Sequence, residues 1–151
     1  MTHPKPSSIR RWLPLLIWMV VISLFSTDTF SGENTGSIIE PIIRLLLGKH
    51  FNQHIFGLIH NLIRKSAHVT EYLILGILLY YTTNPGLRRW RRKTALIVIS
   101  LSIVYASLDE FHQTFTTTRT GSQIDVMIDS IGALIGIGFI WYYNKITIRL
   151  D

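Results

Sequence analysis

The sequence predicts an all-α fold, an integral membrane four-helix bundle with short interfacial amphipathic helices between its first and second spans. Three observations lead there. Apolar residues make up 48% of the 151-residue chain and gather into blocks rather than into the stripes of a soluble core. The basic residues segregate to the leader and to one set of connections. Three of the four apolar blocks carry ionisable residues at one end, where isolated charges are costly unless they pair, line a wet cavity or do chemistry. The expected spans cover about residues 10–27, 63–82, 94–113 and 124–143, within a single domain of residues 1–151.

The first element is a basic leader, Met1–Arg11, followed by the charge-free run Trp12–Phe25. A secretory signal has the same layout. No small-x-small cleavage site follows in Ser26-Thr-Asp-Thr-Phe30, so a retained helix is expected. Ser31–Gly36 is polar and glycine-containing and reads as a loop. Ile38–Leu47 and Phe51–Ile63 are amphipathic and expected in the membrane interface, with Pro41 making the first of them short or kinked. Val69–Tyr81 is too short for a hydrocarbon core of ~30 Å. Reaching that thickness means starting near Leu62, which draws in Lys65, His68 and Glu71. In the same way Thr94–Leu108 must run on through Asp109 and His112, and Val126–Tyr143 contains Asp129.

With the leader cytoplasmic, four spans place ten of the fifteen Lys and Arg residues inside, while of nine acids only Asp151 falls there. The expectation is a multi-pass protein of the inner (cell) membrane with both termini cytoplasmic and both polar blocks facing out. The loop holding Arg88, Arg89, Arg91, Arg92 and Lys93 is short and has Trp90 as its one stacking aromatic. It reads as an orientation determinant beside anionic lipid, and no nucleic-acid partner is expected. Cysteine is absent, which excludes disulfides and thiolate chemistry.

The polar blocks have internal order. Lys65, His68 and Glu71 are spaced i, i+3, i+6 along about 9 Å of helix. Asp109, His112 and Gln113 share a face by the i, i+3, i+4 rule, and Asp125 and Asp129 stand at i, i+4. Ser122 is placed to cap the last helix, and Gly132 and Gly136 form a small-xxx-small face for close packing. Lys65, Arg119 and Arg64 offer three positive charges against Glu71, Asp109, Glu110, Asp125 and Asp129, so two negative charges are left over. A buried carboxylate without compensation shifts its pKa, charges a histidine or takes a cation.

Two chemistries fit. In one, His112 and a carboxylate act as general base and acid while Lys65 or Arg119 holds an anionic head group. In the other, His68, Glu71, Asp109, His112 and Asp125 supply nitrogen and oxygen ligands to a divalent metal, although the two-histidine helical zinc motif is missing from this set. His50 and His54 have that i, i+4 spacing without an adjacent Glu and read as a surface face. Thr116, Thr117 and Thr118 lead into Arg119 and Gly121 as a loop whose N–H groups could meet a phosphate. A third reading makes the whole set a structural charge network, in which case the protein is no enzyme. A proton or cation conduit is disfavoured, because the acids gather at one face without a polar path to the other.

Two blocks carry a family resemblance: Arg64-Lys-Ser-Ala-His-Val-Thr-Glu-Tyr through Gly76, and Ser107-Leu-Asp-Glu-Phe-His-Gln-Thr-Phe through Arg119, followed by Asp125 and Ile128-Asp-Ser-Ile-Gly132. In these, and in the Phe25-Ser-Thr-Asp28 turn, the chain resembles the VanZ-like family of small bacterial membrane proteins from about Leu13 to Trp141. The family often has a second serine and a glutamine where Thr27 and Asp28 stand. Its founding member is an accessory determinant of resistance to teicoplanin, a lipoglycopeptide directed at lipid-linked cell-wall precursor. The resemblance therefore implies a topology and a polar pocket rather than a reaction. The resulting expectation is an outward-facing pocket that binds or modifies a lipid-linked or anionic cell-envelope molecule, its partner being a membrane lipid or lipid-linked envelope precursor. Lys65, Gln113 and Arg119 would bind it, and His68, Glu71, Asp109, Glu110, His112, Asp125 and Asp129 would supply acid–base or metal chemistry. The alternative is a non-enzymatic scaffold or partner-docking protein.

Overall fold

The computed structural model describes residues 8–84, 90–116 and 121–150, and these form five α-helices and no strand. Helix α1 is Ser8–Phe25, with Pro14 inside it. A 3-10 turn at Asp28–Phe30 leads to α2, Gly32–Leu47. The expected loop at Ser31–Gly36 is thus helical from Gly32 onward. Polar composition suggested a loop, but these side chains act as caps. The Ser31 hydroxyl accepts from the Asn34 N–H at 3.4 Å, and the Asn34 amide donates back to the Asp28 carbonyl at 2.9 Å. Pro41 does not shorten α2 either; its ring sits on the exposed face and the helix continues for six more residues, to Leu47.

Gly48 ends α2 at φ 51°, the one positive φ among the described residues, and a 3-10 turn Gly48–His50 reverses the chain. The Arg44 guanidinium pairs with Glu40 at 2.7 Å, holding that carboxyl below the usual carboxylate range, and lies over the Phe51 ring at 4.1 Å. Asn52 then caps α3, its side chain accepting from the Ile55 N–H at 2.8 Å.

Helix α3 runs unbroken over Gln53–Thr83. The second amphipathic segment is therefore no separate interfacial helix; it is continuous with the expected second span. No glycine or proline lies between Leu58 and Leu75 to break it. At 1.5 Å per residue α3 is about 46 Å long, well beyond a hydrocarbon core of ~30 Å. Helices α4, Arg92–Gln113, and α5, Gln123–Leu150, follow. Among the described residues, Arg92–Gln113 and Gln123–Thr147 are each long and apolar enough to cross a membrane.

The bundle is built around α3, which packs against α1, α2, α4 and α5, with α5 also against α4. Its closest partner is α5, and the reason is the absence of side chains. A Cβ at Gly132 would strike the Val69 carbonyl and one at Gly136 the Leu73 carbonyl. From the other side, a Cβ at Gly76 would lie 2.9 Å from the Ala133 carbonyl oxygen. The expected small-residue face is therefore the α3–α5 contact. Helix α1 is tied on by the Trp18 indole, which donates to the Glu71 carbonyl at 2.9 Å, and by the Tyr105 hydroxyl, which donates to the Met19 carbonyl at 2.8 Å.

The interior is formed by Leu15, Ile22, Tyr72, Leu75, Tyr80, Val98, Ala106, Ile137 and Ile140. The outside is just as apolar. Leu16, Ile17, Val20 and Leu24 of α1, Leu96, Ile97, Val104 and Leu108 of α4, and Phe139 of α5 are each more than half exposed. A surface of this kind is stable where something other than water covers it.

Candidate functional site

Six of the polar groups expected at the heads of three helices meet. His68 of α3, Asp109, Glu110 and Gln113 of α4, and Asp125 and Asp129 of α5 are all buried. Burial of so many ionisable groups is tolerable only with partners, and most are visible. Lys65 forms an ion pair with Asp125. The His68 Nδ1 lies 3.1 Å from Asp129 Oδ1. Asp109 Oδ2 accepts from the Ser26 hydroxyl at 2.6 Å and from the Gln113 amide at 3.2 Å. That amide also reaches Glu110 Oε1 at 3.1 Å, and the Ser122 N–H donates to Glu110 Oε2 at 2.8 Å.

Local structure explains why these groups converge. The Ser122 hydroxyl accepts from the Asp125 N–H at 3.4 Å, the cap expected from the sequence, so α5 starts beside Glu110. At Gly121 the chain passes so close to α4 that an added Cβ would meet the Glu110 carbonyl. On α4 the buried face runs Ser102, Ala106, Asp109, Glu110 and Gln113, at helical spacing. His112 is about 100° of rotation away from Gln113 and is exposed. It lines a separate shallow cleft with Ser23, Tyr105, Leu108 and Asp109.

A cavity of about 240 Å³ meets this cluster at His68. Phe25 and Ser26 at the end of α1, Thr35 and Ile39 of α2, and His60, Arg64, His68 and Glu71 of α3 all contribute to its wall. Its roof is held where the Thr35 hydroxyl meets His60 Nε2 at 3.2 Å and Phe56 stacks on His60 at 5.6 Å. The Nε of Arg64 is buried without a hydrogen-bond partner.

The structure therefore distributes the expected residues as follows. His68, Asp109, Glu110, Gln113, Asp125 and Asp129 form one buried cluster, and Glu71 shares the cavity wall with His68. Lys65 is engaged by Asp125, and His112 is outside. Arg119 lies outside the described residues, as do Thr117, Thr118, Arg88, Arg89 and Lys5. The proposed metal-ligand set of His68, Glu71, Asp109, His112 and Asp125 is not what comes together. Instead, ligand atoms of His68, Glu110 and Asp129 all lie within 4.8 Å of one another.

Two contributors, Arg64 and Ser26, were given no site role by sequence reasoning. Arg64, His68 and Glu71 stand at i, i+4, i+7, a narrower face than Lys65, His68 and Glu71, so helical geometry alone could have found Arg64. Ser26 was visible only in the Phe25–Asp28 turn, whose role spacing does not reveal. The family model for VanZ/LLP1 matches residues 11–145. No curated protein and no solved structure matches the chain.

Proposed function

The chain belongs to the VanZ/LLP1 family, and from that premise we propose that this membrane protein binds or modifies a lipid-linked or anionic molecule of the cell envelope. In this reading α1, α3, α4 and α5 are the four spans, both termini are cytoplasmic, and the cavity faces outward in the cell membrane. The asymmetry of basic residues supports that orientation. The exposed apolar faces of α1, α4 and α5 would then be lipid contacts. The exposed Ile38, Leu45 and Leu46 of α2 would lie in the interface, so that a head group reaches the cavity from the bilayer.

One observation carries the reading: a largely apolar cavity whose wall holds Arg64, with its Nε buried and unpaired, together with a histidine and a carboxylate. The apolar wall suits acyl or isoprenoid carbons. Arg64 suits a phosphate or carboxylate, which its planar fork can hold through two N–H groups. His68 and Glu71 line the same cavity, and in this reading they would exchange protons with the bound group. A role in glycopeptide resistance, as for the family's founding member, would follow from action on lipid-linked precursor.

The test is identification of lipids that copurify with the protein in native membrane discs. The wild type should retain an anionic lipid that Arg64→Ala and Arg119→Ala lose while remaining folded. Identical lipid profiles in the three proteins would refute the reading. A purely structural network is the second reading, favoured by the internal hydrogen bonds of Asp109 and Glu110. It expects Asp109→Asn to reduce abundance without altering lipid content or glycopeptide susceptibility at matched abundance.

A further inference from the structure

We propose that His68, Glu110 and Asp129 bind one divalent cation of the manganese or zinc class at the junction of α3, α4 and α5. Their ligand atoms lie within 4.8 Å of one another, one from each helix. Metal–ligand bonds of about 2.1 Å at tetrahedral or octahedral angles put neighbouring ligand atoms about 3.0–3.4 Å apart. The His68 Nδ1 to Asp129 Oδ1 separation is already 3.1 Å.

A separate observation points to a missing partner. The Asp129 side chain is 0% exposed, yet its Oδ2 has no hydrogen-bond donor. The same is true of Gln113 Oε1, on a fully buried side chain whose amide nitrogen touches Glu110 at 3.1 Å. Leaving a buried acceptor unmet is costly, and a cation would satisfy Asp129 while offsetting charge. Charge points the same way. Among the described residues, the buried acids Asp109, Glu110, Asp125 and Asp129 face Lys65, which Asp125 engages, and His68.

The donors select the ion. One imidazole nitrogen, two carboxylates and no thiolate favour a borderline or hard divalent ion over a soft one. Glu110 is already oriented by the Ser122 N–H at 2.8 Å, the kind of support that positions a ligating carboxylate. Because His68 also lines the cavity, the ion would sit in its wall. The site does not depend on which molecule the cavity accepts.

Chelator-stripped protein in detergent would be titrated with Mn²⁺ and followed by electron paramagnetic resonance. A His50→Ala/His54→Ala background removes the exposed i, i+4 histidine pair. One Mn²⁺ per chain should leave the free-ion signal, show coupling to a single imidazole nitrogen and be displaced by Zn²⁺. Asp129→Asn and Glu110→Gln should each weaken uptake at least about tenfold, and His68→Ala should remove the nitrogen coupling. The proposal is overturned if the folded background protein leaves free Mn²⁺ and Zn²⁺ unbound, or if the folded variants bind as their parent does. Should a variant fail to fold, uptake by the background protein with single-imidazole coupling decides.

Discussion

The two ends of the bundle both bury polar side chains, but in different ways. At the end formed by the C-terminus of α3, the groups are neutral and their bonds close on themselves. The Tyr80 hydroxyl accepts from the Arg91 N–H at 3.0 Å and the Asn84 amide at 3.3 Å. The Tyr80 ring stacks on Trp90 at 5.6 Å. Thr82 donates to the Leu78 carbonyl at 2.7 Å and Asn144 to the Ile140 carbonyl at 2.9 Å. The Nε of Arg11 is the exception there. At the other end most of the buried groups are ionisable, Asp129 Oδ2 and Gln113 Oε1 are left without partners, and so is Arg64 Nε in the cavity wall. Closed neutral bonding locks helices together. Open charged bonding leaves room for a ligand, and it is tolerable when a ligand or ion completes it.

The largest expected effect tests how the charged end is held. Lys65→Ala leaves Asp125, whose side chain is 5% exposed, buried without its cation. Loss of about 3 kcal/mol or more is expected in unfolding titrations in detergent, and adding Asp125→Ala should restore part of it. Next comes the seam that lets the two ends share one pair of helices. Gly132→Ala pushes α5 off the Val69 carbonyl and should cost about 1–3 kcal/mol by the same assay. An unchanged midpoint would mean that α3 and α5 sit farther apart than described. Smaller still, Tyr80→Phe removes the acceptor used by Arg91 and Asn84 and should cost about 1 kcal/mol while leaving copurifying lipids unchanged. A changed lipid profile would erase the contrast between the ends. Smallest is His112→Ala, expected within about 0.5 kcal/mol of wild type, with the same lipid content, because the side chain is exposed.

His112 also shows where sequence reading stops. Hydropathy blocks made the helical segments legible, and the i, i+4 glycines of α5 made its closest contact legible. The clustering of His68, Asp109, Asp125 and Asp129 followed from the need to draw all three helix heads into one environment. Spacing alone, however, could not say which face of α4 turns inward. Asp109, His112 and Gln113 fit one stripe, whereas Ser102, Ala106 and Gln113 define another that includes Glu110, and packing selects the second. The continuity of α3 was obscured by a change in amphipathicity near Ile63, where the pattern changes but the backbone does not. Arg64 was passed over in favour of Lys65 because the charge count treated them alike, although among the described residues it is Lys65 that pairs with a carboxylate.

The central claim is that the charged end admits an envelope molecule that the rest of the apolar surface does not select. A photo-crosslinking amino acid placed at Ala67, in the cavity wall, and separately at Leu96, on the exposed face of α4, tests it in native membranes. The account predicts that position 67 captures an anionic or lipid-linked species absent from the products at position 96, and that Arg64→Ala abolishes this capture. The same bulk phospholipids at both positions, indifferent to Arg64, would contradict it.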